Sequence, residues 1–213
     1  MKLQDFKGVS ITQIQQAIAQ KKQSFDENWL GRSLAYTPYQ PRSLDLKRKD
    51  NIYSIFRLYD YKDSNFLHRA KELEKNAKTF IVESLEFATY LRRYVCVPIL
   101  YDFLILDSYQ LLESLVYGAD SITLYPKYLE QSKLKELSDY ALRLGLERVF
   151  CIETQEDLTK AIFSKADLLN INENFSLIPL IPKEKIIISP INAEQNNSNY
   201  INALDAKIID STN

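Results

Sequence analysis

The feature that most constrains the fold of this chain is a strand–helix–strand unit over residues 97–125. The run VPILYDFLI is largely apolar and predicts a buried strand. Asp107 and Ser108 can cap the helix that follows, because their side chains accept backbone N–H bonds at a helix N-terminus. Gly118 ends that helix, and a second strand begins at Ser121. Two strands joined through one helix by short links are typical of a parallel sheet.

The same alternation of predicted strands and helices extends over most of the chain. Eight predicted strands begin near residues 52, 78, 97, 121, 148, 167, 185 and 206. This pattern predicts an α/β fold, a (β/α)8 TIM barrel. We expect the barrel to be trimmed, because the link between strands six and seven is short and contains proline, and because no eighth helix follows strand eight.

The residues before the first strand predict an N-terminal helical extension. Ser10 can cap a helix over residues 10–24 whose isoleucines share one face. Residues 24–50 are polar and contain prolines, which predicts an irregular segment. We therefore divide the chain into an extension, residues 1–50, and a barrel, residues 51–213.

Composition excludes several classes of protein. The net charge of −1 gives no general attraction for nucleic acid or for an anionic membrane. No stretch of about eighteen apolar residues predicts a membrane span, and the first residues lack the apolar core of a signal peptide. Cys96 and Cys151 lie in apolar runs without metal-ligand spacing, which predicts buried, reduced thiols and a cytoplasmic protein.

The strand–helix–strand unit also carries a family resemblance. Eight residues match without a gap the pattern around the third strand and helix of indole-3-glycerol phosphate synthases: Pro98, Leu100, Ile105, Gln110, Leu111, Gly118, Ala119 and Asp120. A second ungapped match runs from Gly145 to Leu158, and a third begins at Ala166. The chain resembles this family over residues 41–213, where Pro41-Arg42-Ser43-Leu44 is similar to the segment before the family's first strand. The resemblance implies a barrel related to the enzymes that close the indole ring in tryptophan biosynthesis.

The resemblance implies an active site at the carboxyl ends of the strands. At several of these positions, however, this chain has a different residue from the one that the family has. Ile55 falls where the family has a glutamate, and Arg57 falls on a lysine position, where it keeps the charge but does not readily release a proton. Asp102 falls on the general-acid lysine of strand three and reverses its charge. Cys151 falls on the catalytic glutamate of strand five, and a neutral thiol is not a carboxylate base.

The phosphate site that the resemblance implies is altered as well. Asn172 and Ser189 keep the family's residue types, and they either bind substrate or satisfy backbone groups at the strand ends. Pro190 has no N–H to donate, and Asp210 would repel phosphate. The chain has only 4 glycines, which is unusual for a backbone phosphate cradle. The candidate substrate- and phosphate-binding residues are Arg57, Asn172, Ser189 and Ser211. No residue pattern predicts a metal site or a cofactor.

Three functions fit this pattern. The first is a catalytically inactive relative of indole-3-glycerol phosphate synthase that acts by binding a phosphorylated small molecule or a protein partner. The second is an active, decarboxylating carbon–carbon lyase with a rewired site that uses Asp102 or a neighbouring acid. The third is a different phosphate-sugar or nucleotide barrel enzyme. Loss of the acid, the base and most of the phosphate site favours the first function. We expect this protein to bind neither nucleic acid nor a membrane.

Overall fold

Eight parallel strands close into a barrel in the computed structural model of this chain, which describes residues 5–59, 64–191 and 199–211. Two short antiparallel strands precede the barrel, β1 (Asp5–Phe6) and β2 (Val9–Ser10). The barrel strands are β3 (Tyr53–Arg57), β4 (Ala77–Val82), β5 (Ile99–Tyr101), β6 (Ser121–Leu124), β7 (Glu147–Cys151), β8 (Leu168–Asn170), β9 (Ile186–Pro190) and β10 (Ala206–Asp210). Neighbours in the chain pair with one another, and β10 pairs with β3 to complete the circle.

Each barrel strand begins within two residues of its predicted start, so the predicted (β/α)8 barrel is confirmed. Alternate residues of a strand share a face, and the inward-facing ones fill the barrel with branched apolar side chains. This inner layer contains Ile55, Ile81, Leu100, Val149 and Ile188. The apolar runs that predicted the strands therefore form the core of the barrel.

The described residues contain seven α-helices. They are α1 (Ile11–Ser24), α2 (Glu27–Ser33), α3 (Phe66–Glu74), α4 (Leu85–Arg92), α5 (Ser108–Val116), α6 (Gln131–Arg143) and α7 (Gln155–Phe163). The predicted caps Ser10 and Asp107 each form a capping box, with Gln13 and Gln110. Gly118, with a φ of 88°, follows α5 as the predicted left-handed stop. None of these helices is both long and apolar enough to cross a membrane.

The barrel is trimmed on the side of its last strands. Only a short 3-10 helix, Phe175–Leu180, lies between β8 and β9, where a barrel of this class usually has an α-helix. Another 3-10 helix, Asn199–Ala203, precedes β10. The predicted loss of the helix between strands six and seven of the barrel is therefore confirmed.

Two predictions about local structure are wrong. Residues 24–50 were predicted to be irregular, but they contain α2, because Asp26 caps the helix by accepting the N–H of Asn28 at 2.6 Å and Leu30 is buried against α5. Cys96 was predicted to be buried but is exposed, because it lies in the turn before β5 rather than in the strand itself.

The extension closes the lower end of the barrel, where the strands begin. Leu44 and Leu46 are both 1% exposed and pack against the inner layer of the barrel. The Arg42 Nη2 atom lies 2.9 Å from Oδ2 of the fully buried Asp120, and Arg92 contacts the same carboxylate. Because these charges are paired and hydrogen-bonded, they hold the segment before β3 against the barrel.

Candidate active site

An ion cluster lies at the carboxyl ends of β3, β4 and β5, the end at which TIM barrels carry their active sites. Nη1 of Arg57 lies 2.6 Å from Oδ2 of Asp102 and 2.9 Å from Oε1 of Glu83. Nζ of Lys7 lies 2.6 Å from the same oxygen of Glu83 and 3.1 Å from Oδ2 of Asp102. Two cations and two carboxylates therefore neutralise one another at the barrel mouth.

Strand order explains why Arg57 and Asp102 meet. Arg57 ends β3 and points into the barrel, as Ile55 does two residues earlier. Asp102 directly follows β5, where its backbone N–H donates to the carbonyl of Val82 at 2.8 Å. One strand, β4, lies between them, so their backbones are separated by about 10 Å. The long arginine side chain crosses that distance inside the barrel.

Lys7 reaches the mouth from a hairpin formed by β1 and β2. Lys7 and Gly8 form its turn with φ values of 49° and 81°, the positive values that a two-residue type I′ hairpin requires. The preceding residue, Phe6, is 3% exposed. It packs edge-on against three rings with centroid distances between 4.9 and 5.8 Å: Phe103, Tyr125 and Tyr128. These aromatic contacts hold the hairpin over the barrel mouth.

Asp102 is buried and ionised. Its Oδ1 accepts the hydroxyl of Tyr125 at 2.5 Å, and its Oδ2 accepts Arg57 and Lys7. Burial by itself raises the pKa of this carboxyl, but the charges of Arg57 and Lys7, with the hydrogen bonds from Tyr125 and Arg57, outweigh burial and lower the pKa to about 2. Both oxygens are therefore engaged at the position where the resemblance implies a general-acid lysine.

Cys151 ends β7 and lines the same cavity as Asp102. The residue is 7% exposed. Burial, followed by the negative charge of Asp102, raises the pKa of the thiol well above its usual range. The thiol therefore stays protonated near neutral pH and neither accepts a proton nor acts as a nucleophile.

Asn172 and Ser189 are in different environments. Asn172 is exposed and lines the cavity, and its backbone N–H donates to Oδ1 of Asn170 at 3.0 Å. Ser189 is fully buried, and its hydroxyl accepts the N–H of Glu173 at 3.0 Å and donates to the carbonyl of Pro190 at 2.9 Å. Ser189 thus satisfies backbone groups, whereas Asn172 faces the barrel mouth.

The end of β10 carries a carboxylate beside the predicted phosphate residue Ser211. The N–H of Ser211 donates to the carbonyl of Arg57 at 3.1 Å. Oδ1 of Asp210 accepts the hydroxyl of Tyr59 at 2.8 Å and lies 3.6 Å from Nε of Arg57. Burial and the hydrogen bond to Asp210 raise the pKa of Tyr59 to about 12. An anion at this strand end would lie beside a negative charge.

The cavity at the barrel mouth has a volume of about 260 Å³. It contains the carboxylates of Glu83, Asp102 and Glu153, and Oε2 of Glu153 accepts Nζ of Lys127 at 2.8 Å. Within the described ranges, no three or more His, Cys, Asp or Glu side chains are grouped so that they could hold a metal ion. A substrate anion would therefore have to compete with protein carboxylates for the cations of the mouth.

Sequence patterns did not single out several residues of this mouth, among them Phe6, Lys7, Glu83 and Tyr125. One signal was present, because a Lys-Gly pair between two short segments is compatible with a hairpin turn, and glycine is rare in this chain. Glu83 and Tyr125 follow the second and fourth barrel strands directly, which is the position from which side chains reach the mouth.

Sequence comparisons relate the chain to one family. A family model described as indole-3-glycerol phosphate synthase matches residues 76–178. The chain is 35% identical to an indole-3-glycerol phosphate synthase of Campylobacter concisus, with 84% of this chain and 81% of that protein covered. It is 37% identical to one from Campylobacter jejuni subsp. jejuni, over 81% and 79% of the two chains. It is 31% identical to one from Sulfurimonas denitrificans, over 84% and 81%.

Solved structures share the barrel at much lower identity. An orotidine 5'-monophosphate decarboxylase from Sulfolobus solfataricus superposes with a TM-score of 0.59 at 17% identity, covering 75% of this chain and 88% of that one. A chain of the tryptophan synthase a2b2 complex from Pyrococcus furiosus gives a TM-score of 0.59 at 13% identity, over 74% and 86% of the two chains. Identities this low indicate a shared fold, not a shared activity.

Proposed function

This chain belongs to the indole-3-glycerol phosphate synthase family, and we propose that it acts by binding and has lost the family's ring-closing reaction. The resemblance implies that a lysine donates a proton and a glutamate accepts one during ring closure. Asp102 and Cys151 occupy those positions here. An ionised carboxylate donates no proton and a neutral thiol accepts none, so neither residue replaces the group that is missing.

The observation that carries this proposal is the contact between Arg57 and Asp102. A cation in the mouth would be needed to hold the carboxylate of the substrate. The Arg57 guanidinium is already 2.6 Å from Asp102 and 2.9 Å from Glu83. Separating a buried ion pair leaves uncompensated charges, so an incoming anion gains little from this site.

The ends of β9 and β10 support the same proposal. Pro190 offers no N–H, the hydroxyl of Ser189 is used within the protein, and the N–H of Ser211 is bonded to Arg57. Each charge-assisted hydrogen bond to phosphate that is missing weakens binding by about 1.5–3 kcal/mol. Asp210 adds a negative charge beside the same place.

The test is a direct assay with the carboxyphenylamino-deoxyribulose phosphate substrate, followed through indole fluorescence. We expect no product, because general acid and base groups each contribute about 10²–10⁴-fold to a rate. The double variant Asp102→Lys, Cys151→Glu is expected to stay inactive, since the phosphate site is still altered. The Campylobacter concisus synthase is the positive control. Turnover of about 1–10 per second, or rescue of a tryptophan auxotroph, would contradict the proposal.

A second candidate is an active synthase with a rewired site, and the position of Lys7 favours it. The Lys7 ammonium lies 3.1 Å from the carboxylate that occupies the family's lysine position. It could donate a proton from the hairpin instead of from strand three, and Glu83 or Glu153 in the same cavity could accept one.

One substitution separates the two candidates. If the chain turns over substrate, Lys7→Met is expected to abolish activity, whereas Lys135→Met on the outer surface of α6, paired with Asp139, leaves it unchanged. Turnover that survives Lys7→Met would rule out Lys7 as the proton donor of a rewired site.

We propose a protein partner in preference to a phosphorylated small molecule, because the groups at the strand ends are already bonded within the protein. Calorimetry with inorganic phosphate distinguishes these ligand classes, and a dissociation constant in the micromolar range would favour the small molecule. We also propose a cytoplasmic location, because Cys96 and Cys151 are free cysteines and Cys96 is exposed.

A further inference from the structure

A second cavity of about 330 Å³ lies outside the barrel, between α1 and the parts of α4 and α5 that face it. Tyr101 of β5 points into this cavity and away from the barrel interior, because Leu100 and Asp102 on either side of it point inward. Apolar side chains form much of its wall: Ile14, Ile18, Leu85 and Phe103. The cavity is therefore separate from the ion cluster of the mouth, although Glu83 lines both.

Tyr101 has an unused polar group in this cavity. The residue is 8% exposed, its ring stacks on Phe103 with centroids 6.0 Å apart, and its hydroxyl has no hydrogen-bond partner among the described residues. Burial, with the nearby charges of Glu113 and Glu86, raises the pKa of this phenol, so it stays neutral. An unpartnered hydroxyl that faces a cavity from a nearly buried residue indicates a place where a ligand can bond.

The charges around the cavity leave one carboxylate uncompensated. Oε1 of Glu113 lies 2.6 Å from Nζ of Lys21, and Glu83 is paired with Lys7. Oε2 of Glu86 accepts the hydroxyl of Ser84 at 2.9 Å, and Glu86 has no basic partner among the residues that the structure describes. The cavity thus combines an apolar wall, a free hydroxyl and an unpaired negative charge.

We propose that this cavity binds a small organic cation, a primary or secondary ammonium group attached to an apolar ring or chain. The ammonium donates one N–H to the hydroxyl oxygen of Tyr101 and another to the carboxylate of Glu86. The apolar body packs against Ile14, Ile18 and Phe103, where it is removed from water. The site does not depend on the proposed function, because binding here requires no group of the barrel mouth to change its partner.

The test compares two phenyl-bearing probes of similar size and opposite charge, phenethylammonium and phenylacetate, by amide NMR titration of the full chain. The amine is expected to shift amides of α1 and α4, and the acid is not. Tyr101→Phe removes only the hydroxyl and is expected to weaken binding of the amine about three- to tenfold. Equal binding of the two probes, unchanged binding in Tyr101→Phe, or shifts confined to the barrel mouth would overturn the proposal.

A second pair of variants keeps the test independent of Tyr101. Ala17 lies on α1 and lines the cavity, so Ala17→Phe fills it from an exposed helix position and is expected to abolish binding of phenethylammonium. Ala19→Phe places the same ring on the same helix at an exposed position outside the cavity, and is expected to bind as the unsubstituted protein does. Unimpaired binding in Ala17→Phe would overturn the proposed site.

Discussion

Nη1 of Arg57 lies 2.6 Å from Oδ2 of Asp102, and this contact joins two strands that are not neighbours in the barrel. The family resemblance implies a lysine at each of these positions. Two lysines so close together would repel each other and would be available to bind anions, whereas an arginine and an aspartate attract. The pair therefore converts a cationic barrel mouth into one whose charges are largely satisfied within the protein.

Removing the carboxylate should destabilise the fold. Asp102→Asn keeps the shape of the side chain but leaves the buried Arg57 guanidinium without its main partner. Breaking a buried pair in this way costs about 3–5 kcal/mol, which urea unfolding would measure. Asp139→Asn, which breaks a surface pair with Lys135, is the matched control and is expected to show no measurable change. Equal stabilities of the two variants would contradict a structural role for the pair.

The lowered pKa of the Asp102 carboxyl predicts how the free energy of unfolding changes in acid. Its pKa in the folded protein, about 2, lies below the ordinary value of 3.8, so the folded state favours the ionised form. This contribution is present above about pH 4 and is lost as the pH falls through about 2, and it amounts to about 2 kcal/mol. Unfolding free energies between those pH values should fall less steeply in Asp102→Asn. Identical slopes in the two proteins would show that another group titrates there.

The hairpin over the mouth depends on a glycine. Gly8 has a φ of 81° with no atom near its missing Cβ, so Gly8→Ala is strained by its backbone alone, by about 1–2 kcal/mol. We expect the hairpin to loosen and Phe6 to become more exposed, which amide hydrogen exchange over residues 5–10 would detect.

Gly31 provides a control for the hairpin substitution, because the same change to alanine is expected to have the opposite effect on stability there. It lies inside α2, also with open space at its Cβ position, so Gly31→Ala should stabilise the protein by about 0.5–1 kcal/mol. If Gly8→Ala were as stable as Gly31→Ala, with unchanged exchange at the hairpin, the positive φ would not matter for the closed mouth.

The two cysteines should react differently with a thiol reagent. Cys96 is exposed and should label rapidly in the native protein. Cys151 is buried with a raised pKa, so it should label only after unfolding. The variants Cys96→Ser and Cys151→Ser assign each reaction to one thiol. Rapid native labelling of Cys96→Ser would mean that Cys151 is accessible through the mouth.

Sequence reasoning predicted the elements whose signals are local. The start of α5 followed from Asp107 and its end from Gly118, because caps and left-handed stops act over a few residues. It missed α2, because a helix of 7 residues gains much of its stability from packing, here of Leu30 against Tyr109 and Leu112. It also misplaced Cys96, because an apolar run does not show where a strand begins.

The sequence by itself determined the barrel and placed Arg57, Asp102, Cys151 and Asn172 at its mouth, because strand periodicity and short links act between neighbours in the chain. Only the tertiary structure decided how those residues are paired. Arg57 and Asp102 are 45 positions apart, and Lys7 and Asp102 are 95 positions apart. A local sequence pattern does not predict a contact between residues so far apart in the chain. Closure of the barrel and the packing of Phe6 over its mouth determine which cations lie next to the buried carboxylate.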